Sequence, residues 1–302
     1  MEIWEAFVLG IIQGLSEFLP ISSSGHLLLI EKLGIGQENL FFNVMLHVGT
    51  LLAVLIALRK TWIQLIIQPF GDLKKRLTKR KTVSTKQNKP SGQTISGLKA
   101  ANETYEYQKV FGGLAASKID GYLVLACVPT VAFAFAFKLL FPDLLDGKLL
   151  GCGFVLTAVL LYAGENFNST KSALLSPKIS ILTGVLQGIA VLPGVSRSGA
   201  TISAMRLQGV EKEDATTFSF LLSIPIIIGS ALYESIDLIT GKEALDISPA
   251  TLVVGVISAF ISGLLSIKIF LKLIEKHSMT VFIIYTLFLG IVVSILPFWV
   301  KI

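Results

Sequence analysis

The chain carries six apolar stretches, each long enough to cross a lipid bilayer, over residues 40–58, 119–141, 146–166, 214–236, 250–273 and 279–300. About 20 residues at a helical rise of 1.5 Å match a hydrocarbon layer roughly 30 Å thick. Turn-forming segments separate some of them: FPDLLDGK at 141–148, NSTKSALLSPK at 168–178 and GKEALDISP at 241–249. Only 15% of the 302 residues are Asp, Glu, Lys or Arg, and 53% are hydrophobic. A soluble domain carries about 25% charge. The expected fold class is therefore an all-α polytopic membrane protein, with residues 1–302 forming a single membrane domain.

Two further apolar segments, 3–30 and 178–206, are interrupted by polar residues, glycine and proline. Neither reads as a clean span. Irregular backbone at membrane depth is tolerated only where protein or a cavity covers it, so each is expected to be a re-entrant helical hairpin. The two segments resemble each other. Gly10, Gln13, Gly14, Ser22, Ser24 and Gly25 recur at Gly184, Gln187, Gly188, Ser196, Ser198 and Gly199, always 174 positions on. The chain divides into a half over 1–166 and a half over 178–302, each with one hairpin and three spans. An odd number of crossings sets the second half upside down. The expectation is an inverted-topology repeat of six transmembrane helices plus two re-entrant hairpins, with the broken segments meeting near the midplane.

Loop charge predicts orientation. Residues 59–118 hold 13 of the 26 basic residues, against Asp72, Glu103 and Glu106. Between spans this pattern marks a cytoplasmic loop, rather than a nucleic-acid surface. No nucleic-acid partner is expected. The insert within it, 72–118, could touch anionic lipid heads. Loops 167–177 and 274–278 then fall in the cytoplasm. Loop 237–249, with Asp237, Glu243 and Asp246 against Lys242, falls outside. Both termini and the mouth of the first hairpin come out external. Glu2 and Glu5, with no basic residue ahead of the first apolar run, do not fit a cleaved signal peptide. Cys127 and Cys152 read as small buried hydrophobes, with neither disulfide nor metal spacing.

The interrupted segments hold the chemistry. Gln13 and Glu17 lie four apart and share a helix face. A carboxylate in apolar surroundings needs a cation, a hydrogen-bond donor or a proton. Pro20 ends a helix, Gly25 permits close approach, and Ser22, Ser23 and Ser24 offer hydroxyls between them. A helix starting near Gly25 would aim its positive end at an anion. His26 could act as acid, base or nucleophile. In the second segment, Arg197 is an arginine at membrane depth, and its planar fork suits phosphate oxygens. Ser196, Ser198, Gly199 and Thr201 surround it. Under the offset, Ser23 aligns with Arg197 and Glu17 with Val191, so the copies differ in role. His47 and Asn43, single polar residues on an apolar span, are expected to be structural. Pro129 and Pro225 are expected to kink their spans, and no partner is assigned to Glu234 or Asp237.

QGLSEFLPISSSGH (13–26) and PGVSRSGAT (193–201), supported by FNVMLHVGT (42–50) and FSFLLSIP (218–225), resemble the integral-membrane undecaprenyl-diphosphate phosphatase family associated with bacitracin resistance. The resemblance covers nearly the whole chain. It implies removal of the terminal phosphate of undecaprenyl diphosphate, which recycles the lipid carrier for peptidoglycan synthesis. It also implies a divalent cation, Mg²⁺ or Ca²⁺, an active site at the outer face of the bacterial inner membrane, and a possible homodimer. It places Glu17, Ser23, His26 and Arg197 at catalytic positions, with Ser22, Ser196 and Thr201 in the surrounding pocket. Ser24, Ser198, Gly25 and Gly199 are expected to bind phosphate with them. Glu17 and Gln13 are the expected metal ligands, and Gln13 is a neutral residue where the family pattern allows Glu or Gln. The resemblance leaves the nucleophile open among Ser23, His26 and water. The alternative reading is a polyprenyl-phosphate flippase using the same anion site.

Overall fold

A computed structural model describes residues 1–36, 39–67, 111, 114–167, 172–239, 247–276 and 278–295, with the side chains of Leu40, 234–239 and 275–276 left out. Most of the basic loop, 68–110 and with it most of the insert, lies outside the described residues. So do most of the acidic loop 237–249, Lys171, His277 and the side chains of Glu234, Asp237 and Lys276. All regular structure among the described residues is helical.

Helix α1 (Ile3–Phe18) opens with a reciprocal capping box between Glu2 and Glu5. It stops because Leu19 precedes Pro20 and is pushed into extended backbone, φ −69° and ψ 144°. Helix α2 (Ser23–Lys32) follows at once, its first turn capped by the Ser22 side chain accepting from Gly25 N–H. Helix α3 (Leu40–Ala57) bends by 79° at Leu58 into α4 (Arg59–Ile67). Then come α5 (Ala116–Leu140), a 3-10 turn at Pro142–Leu144, and α6 (Leu150–Asn166). Helix α7 (Pro177–Ile189) has Pro at its first position and Ser176 as cap. Helix α8 (Arg197–Leu207) is capped by Ser196, which accepts from Gly199 N–H. The chain ends with α9 (Lys212–Ile239), α10 (Pro249–Lys276) and α11 (Thr280–Ile295).

The six expected spans coincide with α3, α5, α6, α9, α10 and α11, and the two interrupted segments with α1–α2 and α7–α8. Within α5, α9 and α10, the stretches Ala116–Leu140, Lys212–Tyr233 and Pro249–Ile274 are long and apolar enough to cross a membrane, and the α3–α4 pair together makes a fourth. Helices α6 and α11 are apolar but shorter, 17 and 16 residues. Pro129 and Pro225 lie inside α5 and α9.

Polarity is distributed as lipid solvent demands. Val124, Val128, Val131, Phe135 and Leu139 of α5 face outward, whereas Thr130, Ser180, Thr183, Thr201 and Ser219 are buried. A soluble monomer does not expose so continuous an apolar face. Cys152 lies on such an outward face and Cys127 is half-buried. The expectation of two buried cysteines is corrected here, because an apolar environment surrounds this chain on the outside as well.

Small residues set the helix contacts. Helix α1 packs along α10 at Gly10 and Gly14. A Cβ on Gly10 would lie 1.9 Å from Ser258 Oγ and 2.5 Å from the Gly255 carbonyl. Helix α7 packs along α5 at Gly184 and Gly188, the residues 174 positions on. Each contact carries a hydroxyl-to-carbonyl hydrogen bond at the first glycine: Ser262 Oγ donates to Gly10 O (3.3 Å) and Thr130 Oγ1 to Gly184 O (3.0 Å).

Candidate active site

The two hairpin breaks touch. Ser198 Oγ donates to the Leu19 carbonyl at 3.2 Å. A Cβ on Gly25 would lie 2.9 Å from Gly194 Cα and 2.7 Å from the Phe154 ring, so only glycine allows this approach. The break between α7 and α8 is held from α6, where Thr157 Oγ1 donates to Gly194 O (2.9 Å) and accepts from Ser196 N–H (2.8 Å). Gly194 itself has φ +87°, which a side chain would oppose.

The start of α2 and the start of α8 therefore converge, and between them lies a cavity of about 350 Å³. Its polar lining includes Glu17, Ser22, Ser23, Ser24, Ser196 and Arg197. Apolar lining comes from Val44, Val191, Val195, Ile226 and Ile227.

Glu17 is the centre of the polar wall, its side chain 4% exposed. Its Oε1 accepts from an Arg197 Nη at 2.7 Å. Its Oε2 accepts from Ser23 Oγ at 2.6 Å and from Gln13 Nε2 at 2.9 Å. His47 Nε2 lies 3.6 Å from the same oxygen. Arg197 is oriented from behind. Its second Nη donates to the Ser219 carbonyl, and Ser219 Oγ in turn bonds Thr201 Oγ1 at 2.6 Å. A charge buried this deeply persists only when paired and hydrogen-bonded, and Glu17 is both.

The expected residues thus separate. Glu17, Ser22, Ser23, Ser24, Ser196 and Arg197 line one cavity. Gly25 and Gly199 do not line it, and their N–H groups are taken by the Ser22 and Ser196 caps. Ser198 is tied to Leu19 and Ser196, and Thr201 sits behind Arg197. Gln13 is buried one helical turn behind Glu17. His26 also stands apart. Its Nδ1 is 2.7 Å from Ser22 O and its Nε2 is 2.7 Å from the Tyr285 hydroxyl.

Two lining residues were read from sequence as structural. His47 and Asn43 both face the cavity from α3. His47 Nδ1 bonds the Asn43 carbonyl (2.7 Å), which turns Nε2 toward Glu17. Their i, i+4 spacing was the available signal, since it puts two polar side chains on one stripe of an otherwise apolar helix. Gln187, the counterpart of Gln13, also lines the cavity, with its Nε2 on Thr130 Oγ1 at 2.9 Å.

Among the described residues no cluster of three His, Cys, Asp or Glu side chains forms a ready metal centre. Glu17 nevertheless places carboxylate oxygens at the cavity, and behind it, outside the lining, Gln13 Oε1 is buried without a hydrogen-bond partner. Hard divalent cations bind through one or two carboxylates together with substrate phosphate oxygens. That donor set fits a cation shared between the protein and a diphosphate.

Fold and site together define a multi-pass helical membrane protein with a cavity whose polar wall is arginine, glutamate and serine, built where two helix breaks meet. The chain belongs to the bacitracin resistance protein BacA family, whose model matches residues 6–292. It is 33% identical to undecaprenyl-diphosphatase 3 of Bacillus cereus, with 97% of each chain covered. It is also 33% identical to the undecaprenyl-diphosphatase of Korarchaeum cryptofilum, covering 97% of this chain and 98% of that one. The undecaprenyl-diphosphatase of Carboxydothermus hydrogenoformans is 31% identical, with 98% of each covered.

Proposed function

We propose that this protein hydrolyses undecaprenyl diphosphate to undecaprenyl phosphate and inorganic phosphate, returning the carrier to peptidoglycan synthesis and so conferring bacitracin resistance. The observation that carries the reading is the 2.6 Å hydrogen bond from Ser23 Oγ to a carboxylate that Arg197 holds in place.

The chemistry follows from the donors present. Ser23 Oγ attacks the terminal phosphorus and passes its proton to Glu17 Oε2. The bridging P–O bond breaks, and the lipid monophosphate leaves. Arg197 and the N-terminal ends of α2 and α8 stabilise charge on the phosphoryl oxygens. Water then attacks the phosphoserine; its O–P bond forms as the Ser23 Oγ–P bond breaks, and Glu17 returns its proton to Oγ, which releases dihydrogen phosphate and restores Ser23 and the carboxylate. Gln13 Oε1 and Glu17 would hold a divalent cation, Mg²⁺ or Ca²⁺, which when bound neutralises diphosphate charge. Val44, Val191, Val195, Ile226 and Ile227 give the apolar wall that a prenyl chain requires.

The arrangement we propose is an inverted repeat of six spans and two re-entrant hairpins, with its halves over 1–166 and 178–302. The support is the paired glycine contacts, α1 on α10 and α7 on α5, and the serine caps at both breaks. The proposed setting is a bacterial inner membrane, with the cavity open to the external side, and the proposed assembly is a homodimer. The lipid substrate and membrane lipids are the partners this implies. The flippase reading finds no support in the named relatives, all of which are diphosphatases. Purified protein in detergent, given a long-chain prenyl diphosphate with Mg²⁺ or Ca²⁺, should release inorganic phosphate. Absence of release would reject the reading.

A further inference from the structure

Two hydrogen bonds leave His26 in directions that do not enter the cavity. Ser22 O is a carbonyl and can only accept, so His26 Nδ1 carries the hydrogen of that 2.7 Å bond. Nε2 is then the lone-pair nitrogen, and the Tyr285 hydroxyl donates to it at 2.7 Å. The two rings stack almost parallel, centroids 5.7 Å apart at 9°, while Phe154 closes the other side of the imidazole edge-on at 5.4 Å. Tyr285 lies on α11, far from hairpin one in sequence.

The residue at the receiving end is strained. Ser22 is a non-glycine residue at φ +73° and ψ 97°. Such a backbone persists only where the surroundings over-determine it. Two donors hold its carbonyl, His26 N–H at 3.2 Å and His26 Nδ1–H, and its own hydroxyl caps Gly25. The next residue is Ser23. The orientation of the Ser22–Ser23 peptide decides where Ser23 Oγ points, and it points at Glu17 Oε2.

We infer that Tyr285 is a positioning residue for phosphoryl transfer: through His26 it locks the left-handed Ser22 turn and so aims Ser23. This assigns His26 to holding the turn and gives α11, which contributes nothing to the cavity lining, a part in the reaction. The inference rests on the hydrolase reading and deepens it by one residue.

The test is Tyr285→Phe, which removes the donor and keeps the ring stack. A nucleophile misplaced by about 1 Å costs on the order of 100-fold. The expected result is kcat lowered about 10- to 100-fold, with KM and the thermal midpoint unchanged. His26→Gln should lower kcat similarly, and the double variant should be no worse than the poorer single one, because both cut one chain of bonds. The chain contains only 3 histidines, so ¹⁵N-histidine NMR gives a readout independent of turnover. The His26 Nε2 resonance should move in Tyr285→Phe. A normal kcat, or a raised KM with kcat intact, would overturn the inference, as would an unmoved resonance. A wild-type protein that releases no phosphate would overturn the hydrolase reading, and this inference with it. A moved resonance in that case would still establish the Tyr285–His26 bond, so the two failures are told apart.

Discussion

Arg197 and Glu17 meet at 2.7 Å across 180 positions of sequence, one from each broken hairpin. Each is the other's reason for being buried. A guanidinium or a carboxylate alone at this depth would cost several kcal/mol.

Replacing Arg197 separates catalysis from folding. Arg197→Lys keeps the charge but loses the fork that spans Glu17 and Ser219. Its phosphate release should fall at least about 100-fold, in line with loss of a charge-stabilising donor. Arg197→Ala should abolish turnover and also destabilise by about 3–5 kcal/mol, because Glu17 loses its counter-charge. Adding Glu17→Gln should restore the melting temperature but not activity. Scanning fluorimetry beside the phosphate assay reads both.

Ser23→Ala removes the attacking oxygen while leaving Gln13 and Arg197 on Glu17. Stability should change by about 1 kcal/mol or less. Activity should vanish. Rapid-quench labelling of the wild-type protein should trap a phosphoserine at Ser23. Sustained turnover by the alanine variant would transfer the attack to water.

His47 Nε2 stands 3.6 Å from Glu17 Oε2, and because Nδ1–H is committed to the Asn43 carbonyl, it supports the carboxylate only as the charged imidazolium. With the ring charged, His47→Leu removes an ion-pair contact and should lower kcat by about 10-fold, which corresponds to about 1.4 kcal/mol. His47→Gln keeps an amide donor at a similar reach and should retain more activity than His47→Leu. Equal activity in all three proteins would return His47 to a packing role.

Gln13→Glu adds a second carboxylate one helical turn from Glu17. It should lower the Mg²⁺ concentration needed for half-maximal phosphate release, since ligand charge sets the affinity of hard cations. Calorimetric titration of the protein with Mg²⁺, without substrate, should show the same tightening.

The glycine contacts predict folding directly. A Cβ on Gly184 would stand 2.1 Å from the Ala126 carbonyl, and one on Gly10 2.5 Å from the Gly255 carbonyl. Gly184→Val or Gly10→Val should abolish the recovery of monodisperse protein. Gly121 has nothing within 4 Å of a built Cβ, so Gly121→Ala should be tolerated or stabilise by about 1 kcal/mol. Size-exclusion profiles in detergent decide the comparison.

The positions of the helices and of both breaks were legible in the sequence. Hydropathy and Pro20 after Leu19 act over a few residues, so local pattern reports them. Glu17 and Arg197 stood out in the sequence because each is costly in lipid, and Ser23 because it lies between Pro20 and Gly25; the structure brings the three together at one cavity. Asn43 and His47 did not stand out. A single polar residue on an apolar helix is read by the wall it faces, and the sequence does not say which helix supplies that wall. Gly25 and Gly199 went the other way. Their glycine character was visible, but not that their N–H groups would close onto their own caps.

What the sequence alone determined is a helical membrane chain with two costly polar interruptions, because the expense of polar groups in hydrocarbon is written residue by residue. Only the tertiary structure decided that one carboxylate would be held by Ser23, Gln13 and Arg197 together, that His47 would face it, and that His26 would turn away to Tyr285. Those outcomes depend on helices α1, α2, α3, α8 and α11 arriving within a few ångströms of one another. Side-chain contacts of that reach are set by packing between distant segments.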